Sequence, residues 1–220
     1  MTNRIYFVDV TNRDGVQTSR LGLAKLQKTL INLMLDDMGI TQSEFGFPTT
    51  MHELNYLNAN LELVELNVIT KTKLSGWMRA IASDVETSFS NVPKLQYCNL
   101  SQSTSEQMIY GKYMGKKTPD DILKLTCEAV ECAVDKGAKI IGVNAEDASR
   151  SDLDFLIKFI ESNCKAKDVK LAVLFDKKCA RKYDVVPNFS AFDVDDKFIV
   201  GFGLDYCGLY RNLNYIGYFD

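Results

Sequence analysis

The sequence predicts an α/β protein: a partial (β/α) barrel of the TIM type, about five βα units long, followed by a small β-rich C-terminal segment. Three observations carry this. From residue 5 to about 166, short apolar runs alternate with amphipathic stretches, the pattern of parallel strands joined by crossover helices. A closed eightfold barrel of this kind takes roughly 250 residues, and the chain has 220. Near residue 167 the composition changes, and the remainder holds eleven of the chain's phenylalanines and tyrosines in extended runs such as "VKLAVLFD", "FSAFDV" and "KFIVGFGLDY". The expected division is therefore 1–166 and 167–220, with the boundary in "SNCKAKD".

Taken in order, "RIYFVDV" reads as the first strand. "SRLGLAKLQKTLINLMLDDMGI" is a helix with apolar residues at Leu23, Leu26, Leu30, Met34 and Met38 and a glycine stop at Gly39. "SEFGFP" is a second strand closed by Pro48. Residues 51–68 fit helix or strand equally. "GWMRAIA" is a third strand, and Ser83 with Glu86 forms a capping box for the helix "SDVETSFSN". "LQYCNLS" is a fourth strand. Thr118, Pro119 and two aspartates open a helix that runs through Asp135 and stops at Gly137. "AKIIGVNA" is a fifth strand, and Ser151 with Asp154 caps the helix "DLDFLIKFIE".

The bulk properties narrow the function. With 46% hydrophobic and 25% charged residues the chain reads as a globular domain, and no apolar run reaches the roughly 18 residues of a membrane span. The N-terminal apolar stretch is too short for a secretory signal, so the expected location is cytoplasmic. A net charge of −3 argues against a nucleic-acid surface, which needs clustered Lys and Arg. The densest basic run, "GKYMGKK", reads as a solvated face or as a loop facing an anion. The six cysteines include no C-x-x-C pair and read as reduced, buried small hydrophobes.

"DVTNRDGVQ", Asp9 to Gln17, carries more polar equipment than a structural turn requires. Residues just after a barrel strand point into the catalytic mouth. There Arg13 is suited to hold a carboxylate or stabilise an enolate, Asp14 to ligate a hard divalent cation, Gly15 to permit the turn, and Gln17 to orient a substrate. A surface turn held by an Arg–Asp pair satisfies the same residues.

This stretch resembles the opening motif D-T-T-L-R-D-G-x-Q of the homocitrate synthase and isopropylmalate synthase family, with departures at Val10 and Asn12. "EFGFP" is similar to its second-strand motif E-x-G-x-P, Arg79 falls where its third strand places an arginine, and "AEDASRSDLDFL" follows its fifth-strand segment A-E-D-A-S-R. The matches come in family order across residues 4–166 and are nearest to nitrogenase-associated homocitrate synthases. The resemblance implies a metal-dependent condensation of acetyl-CoA with a 2-oxo acid. Arg13 and Glu44 would be catalytic, Gln17, Arg79 and Glu146 would bind substrate, and Asp14 would bind a divalent metal such as Mg, Mn or Zn. The family completes its metal site with a His-x-His pair. This chain has one histidine, His52, which reads as a surface or capping residue. The resemblance thus implies a fragment or split subunit, inactive alone, whose partner chain supplies the missing strand.

Residues 169–218, ending in "DKFIVGFGLDYCGLYRNLNYIGY", are similar to the C-terminal segment of hypoxanthine-guanine phosphoribosyltransferases. That resemblance implies a purine site in which Lys177 contacts the exocyclic oxygen, Phe198 stacks on the base, the Ile199 backbone reads its edge, and Asp205 and Arg211 lie near metal and pyrophosphate. The family's acidic pair and T-G-x-T loop are absent. Phe192 and Phe202 are expected instead in the core of the tail. Three functions remain open: a homocitrate synthase-like acyltransferase part, a purine-binding protein, and a non-catalytic fusion product.

Overall fold

The structure is a computed structural model that describes residues 6–17, 21–164, 172–180 and 186–219. It divides into two compact units, Met1–Ala166 and Lys167–Asp220.

The first unit is built on one five-stranded sheet in the order β1 (Val8–Asp9), β2 (Gln42–Gly46), β3 (Lys73–Arg79), β4 (Tyr97–Ser103) and β5 (Ile140–Glu146), with every neighbouring pair parallel. Spatial order follows chain order, so each connection crosses to the adjacent strand, and the result is a curled half-barrel with helices on its outer side. The helices are α1 (Lys25–Met38), α2 (Leu54–Glu65), α3 (Ala82–Asn91), α4 (Glu106–Tyr113), α5 (Pro119–Asp135) and α6 (Leu153–Cys164).

The two faces of the sheet differ because side chains alternate along a strand. Leu74, Met78, Cys98 and Leu100 point one way and join Phe45, Leu57, Ile69, Val85 and Val92 in the main core beneath the helices. The opposite face carries Gln42, Glu44, Ser75, Trp77, Asn99 and Ser103; across the strands Gln42 bonds Ser75 and Asn99, and Asn99 bonds Glu44. A second cluster of Ile109, Ile122, Leu123 and Phe159 holds α4, α5 and α6 together.

Several local expectations are met. Gly39 ends α1 with φ 73°, and its N–H donates to the Asp36 carbonyl. Thr118 and Asp121 form a reciprocal capping box on α5, with Pro119 at its first position. The ambiguous 51–68 segment is a short 3-10 turn followed by α2.

Others are corrected. The third strand ends at Arg79, and α3 begins at Ala82 with Ile81 as N-cap and no side-chain cap, so Ser83 lies inside the helix rather than capping it. On α6 the cap is Asp152, whose carboxylate accepts from the Phe155 N–H at 2.9 Å, while the Ser151 hydroxyl is taken by Thr104 and the Asp147 carbonyl. The first residues of "GKYMGKK", through Tyr113, belong to α4, a helix absent from the elements expected from the sequence.

The largest reversal is α1. Leu26, Leu30, Met34 and Met38 are exposed at 70%, 44%, 61% and 73%, whereas Lys28, Asn32 and Asp36 are buried beside Leu35. The buried polar residues are satisfied by distant partners. Asn32 bonds Asn12, Tyr56 and Asn60, Lys28 pairs with Glu53 at 2.5 Å, and Asp36 accepts the N–H groups of Thr70, Lys71 and Thr72.

In the second unit, β6 (Ala172–Asp176) and β7 (Phe189–Asp193) pair in parallel, and β8 (Phe198–Val200) and β9 (Gly217–Phe219) form an antiparallel pair. Phe192 and Phe202, expected in a core, are 59% and 67% exposed. The only β8 residue that is fully buried is Val200.

Candidate active site

The turn after β1 is held by backbone and by one buried side chain. The N–H groups of Arg13, Asp14 and Gly15 converge on the Val10 carbonyl at 2.8–3.2 Å. Asn12 is fully buried, and its amide donates to the Lys28 carbonyl and to Asn32 Oδ1, tying the turn to α1. Gly15 lies outside the left-handed region, and a Cβ there would meet only Thr11 at ordinary distance, 3.6 Å. The turn therefore does not demand glycine, contrary to the sequence reading.

Anchored this way, Arg13 faces the polar side of the sheet. Its Nε donates to Glu44 Oε2 at 2.9 Å, its Nη1 donates to Asp14 Oδ1 at 2.9 Å, and the guanidinium lies 5.0 Å from the Trp77 ring centroid. Glu44 is 2% exposed, and its other oxygen accepts from Asn99 Nδ2 at 2.6 Å. Burying a carboxylate at this depth is tolerable only because both oxygens are bonded and one partner is a cation. Two of the five guanidinium donors are engaged, and no described partner occupies Nη2. The arrangement is a held, half-buried cation with free donors beside an aromatic face, a fit for an oxyanion.

Arg79, the last residue of β3, is committed elsewhere. It makes a two-point bond to Asp84 of α3 at 2.7 and 2.8 Å, which raises its pKa. Glu146, the last residue of β5, bonds the Lys112 ammonium and the Ser103 hydroxyl. Burial alone would push the Glu146 carboxyl up, but these two partners outweigh it and hold it below its ordinary value. No described contact joins Arg79 or Glu146 to the Arg13–Glu44 pair. Gln17, exposed in the short 3-10 turn Gly15–Gln17, makes no side-chain hydrogen bond among the described residues.

The metal expectation can be tested on the donors. Asp14 is 58% exposed along its side chain and ion-paired to Arg13, Glu44 is spent on Arg13 and Asn99, and His52 is exposed before α2. Among the described residues no three His, Cys, Asp or Glu side chains come together. This donor set does not fit a protein-held divalent ion.

Sequence reasoning missed Trp77, Asn99, Asp84 and Lys112. The first two had a readable signal: Trp77 lies two residues before Arg79, on the same strand face, and Asn99 is a polar residue inside an apolar run, in register with Trp77. Asp84 and Lys112 lie on helices, and nothing local to them pointed to their partners.

In the tail, Lys177 Nζ donates to the Lys197 carbonyl at 2.6 Å and lies 3.4 Å from Asp196. Phe198 stacks edge-on against Tyr206 at 5.5 Å and packs beside Phe219 at 6.5 Å. Ile199 lies in the β8–β9 ladder opposite Tyr218. Asp205 pairs with Arg211 at 2.6 Å and accepts the Gly208 N–H, and Arg211 also donates to the Gly203 carbonyl. Lys177, Phe198, Asp205 and Arg211 are thus engaged with partners inside this unit.

A parallel half-barrel whose polar face carries a half-buried arginine ion-paired to a buried glutamate defines a (β/α)-barrel protein. The HMGL-like family profile matches residues 4–173, and the chain belongs to that family. It is 58% identical over 156 residues to the Citrate (Re)-synthase of Dehalococcoides mccartyi, covering 71% of this chain and 38% of that protein. It is also 46% identical over 65 residues to the hypoxanthine-guanine phosphoribosyltransferase of Bacillus subtilis, covering 30% of this chain and 36% of that one. The fold is shared with the HMG-CoA lyase of Bacillus subtilis at a TM-score of 0.54 and 13% identity, over 80% of this chain and 59% of that one. The chain spans less than two fifths of the length of its citrate synthase relative. No helix among the described residues is long and apolar enough to cross a membrane.

Proposed function

We propose that residues 1–166 are the mouth-forming part of a homocitrate synthase-like acyltransferase, a fragment or split subunit that condenses acetyl-CoA with a 2-oxo acid only when a second chain completes the barrel. Residues 167–220 form a separate β-rich segment. The observation that carries the reading is the Arg13–Glu44 pair: a guanidinium fixed on two sides, backed by Trp77, with Nη2 free to receive the carboxylate or carbonyl oxygen of the 2-oxo acid. Glu44 and Asn99 hold the arginine in place. In the condensation, the acetyl methyl loses a proton, the new carbanion attacks the keto carbon, and hydrolysis of the thioester releases coenzyme A. Gln17 has free donors for substrate, Glu146 lines the mouth beside Lys112, and Arg79 reaches substrate by exchanging Asp84 for it.

In this reading the partner chain brings the His-x-His strand, because Asp14 by itself is too poor a donor set for the divalent ion the family uses. The exposed α1 stripe and the outer edge of β1, unpaired among the described residues, support such a partner, since edges and apolar faces of this kind invite association. The choice of 2-oxo acid is open to a direct comparison: homocitrate requires 2-oxoglutarate, whereas a product like that named for the 58% identical relative requires oxaloacetate.

The test is coenzyme A release from acetyl-CoA with either acid and added divalent metal. The pure chain is expected to stay at background. A partner chain bearing the His-x-His strand restores release, Arg13→Ala then abolishes it, and Phe198→Ala leaves it intact. Robust turnover by the pure chain overturns the reading.

A second reading, a purine-binding protein related to hypoxanthine-guanine phosphoribosyltransferases, is favoured by the 46% identical match to the tail. In it Phe198 stacks on the base, Lys177 and the Ile199 backbone read its edge, and Asp205 with Arg211 lies near the phosphates. Inosine monophosphate formation from hypoxanthine separates it from the first.

A further inference from the structure

A cavity of about 280 Å³ opens at the far end of the sheet from the Arg13 turn, between the C-terminus of α2 and the N-terminal ends of β3 and β4. One side is apolar, formed by the buried Leu61, Ile69 and Leu74. The other carries three lysines, Lys71, Lys73 and Lys94, against a single carboxylate, Glu65. Lys94 is paired with Glu65 at 2.5 Å. Lys71 and Lys73 have no carboxylate within salt-bridge distance among the described residues. Asp36, the acid behind the 70–72 loop, is already saturated by three backbone N–H groups, and these bonds hold it below its ordinary pKa despite its burial. The Lys73 ammonium stands 5.7 Å from the Tyr97 ring centroid, so the flat face and the charge share one wall.

We propose that this cavity binds a small phosphate monoester with a flat apolar body. Lys71 and Lys73, the two lining ammoniums without a salt-bridged carboxylate among the described residues, carry the attraction, with Asp36 behind Lys71 and Glu62 near Lys94 offsetting part of it; a phosphate monoester, at about −1.5 to −2 near neutral pH, is drawn to them more strongly than a singly charged carboxylate. Lysines suit phosphate as compact point charges that need no planar, two-point geometry. Tyr97 and the leucine–isoleucine wall receive the ring, and the volume, just under the roughly 300–1,000 Å³ of drug-sized sites, limits the ligand to about one ring and its phosphate. Nothing in the condensation reading uses this face of the sheet.

The probe is phenyl phosphate, titrated calorimetrically into the full chain, with benzoate in parallel. Saturable one-to-one binding is expected, weaker for benzoate, and reduced about tenfold or more in Lys71→Gln/Lys73→Gln, since each lysine contributes on the scale of an exposed charge pair or somewhat above it. Tyr97→Leu should weaken it several-fold, while Lys124→Gln, on the exposed face of α5, leaves it unchanged. Circular dichroism verifies that each variant folds. Absence of saturable binding at millimolar phenyl phosphate, equal affinity for benzoate, or equal affinity in the double lysine variant and Lys124→Gln each overturns the proposal.

Discussion

Gly142→Ala probes the scaffold of the candidate site most sharply. Gly142 lies opposite Asn99 in the β4–β5 ladder, and a Cβ on it would fall 2.2 Å from Asn99 Oδ1 and 3.1 Å from Asn99 Cγ. The amide cannot swing aside freely. It donates to Glu44 at 2.6 Å, accepts from Gln42 at 3.3 Å, and is 6% exposed. Expelling it leaves the Glu44 carboxylate with Arg13 as its one described partner. Overpacking costs about 1–3 kcal/mol and a lost bond to a buried charge about 1.5–3 kcal/mol. The same displacement causes both, so the sum overcounts, and about 3 kcal/mol is expected, or roughly 6–12 °C in melting temperature for a chain of this size.

The assay is a double-mutant cycle by urea and thermal unfolding. Asn99→Ala loses the bond to Glu44 but leaves nothing for the new methyl to strike. In that background Gly142→Ala should be neutral, or stabilising by up to about 1 kcal/mol through reduced unfolded-state entropy. An equal cost with and without the Asn99 amide sinks the reasoning.

Asp36→Ala should cost about 2–4 kcal/mol, because three backbone N–H groups lose a charged acceptor at once. Its folded-state pKa is depressed, so its contribution is present above the unfolded value of about 3.9 and fades as pH falls through the lower folded value; an acid titration of unfolding free energy in which Asp36→Ala and the parent keep a constant gap below pH 3 would contradict this. Leu26→Glu/Met34→Glu should leave stability within about 0.5 kcal/mol, whereas Leu35→Ala should cost about 2–4 kcal/mol; light scattering should show weaker self-association for the first, and a large loss of stability there would place the stripe in a core after all. Burial pushes the Cys98 thiol up to about 12, so alkylation followed by mass spectrometry should label the exposed Cys179 and Cys207 while sparing Cys98 until the chain unfolds; early labelling of Cys98 would refute its burial.

What the sequence by itself determined was local and periodic: the alternation that makes parallel strands, the Gly39 stop, the Thr118–Asp121 cap, and the motif that sets Arg13 beside Asp14. Each depends on residues within a turn or two of one another, so a one-dimensional reading has all the terms it needs. Tertiary structure decided the rest. The apolar stripe of α1 was legible as a stripe, but whether it meets a core depends on a surface that the described residues do not bring to it. The helix instead turns inward Lys28, Asn32 and Asp36, whose partners Glu53, Asn60 and the 70–72 loop lie some 25 to 36 residues away. Burying polar groups is favourable only when every partner arrives, and that information exists only after folding. Arg79 shows the same limit within the site: its place at the end of β3 was readable, but its capture by Asp84 followed from where α3 begins, at Ala82, one residue before the cap that the sequence pattern suggested.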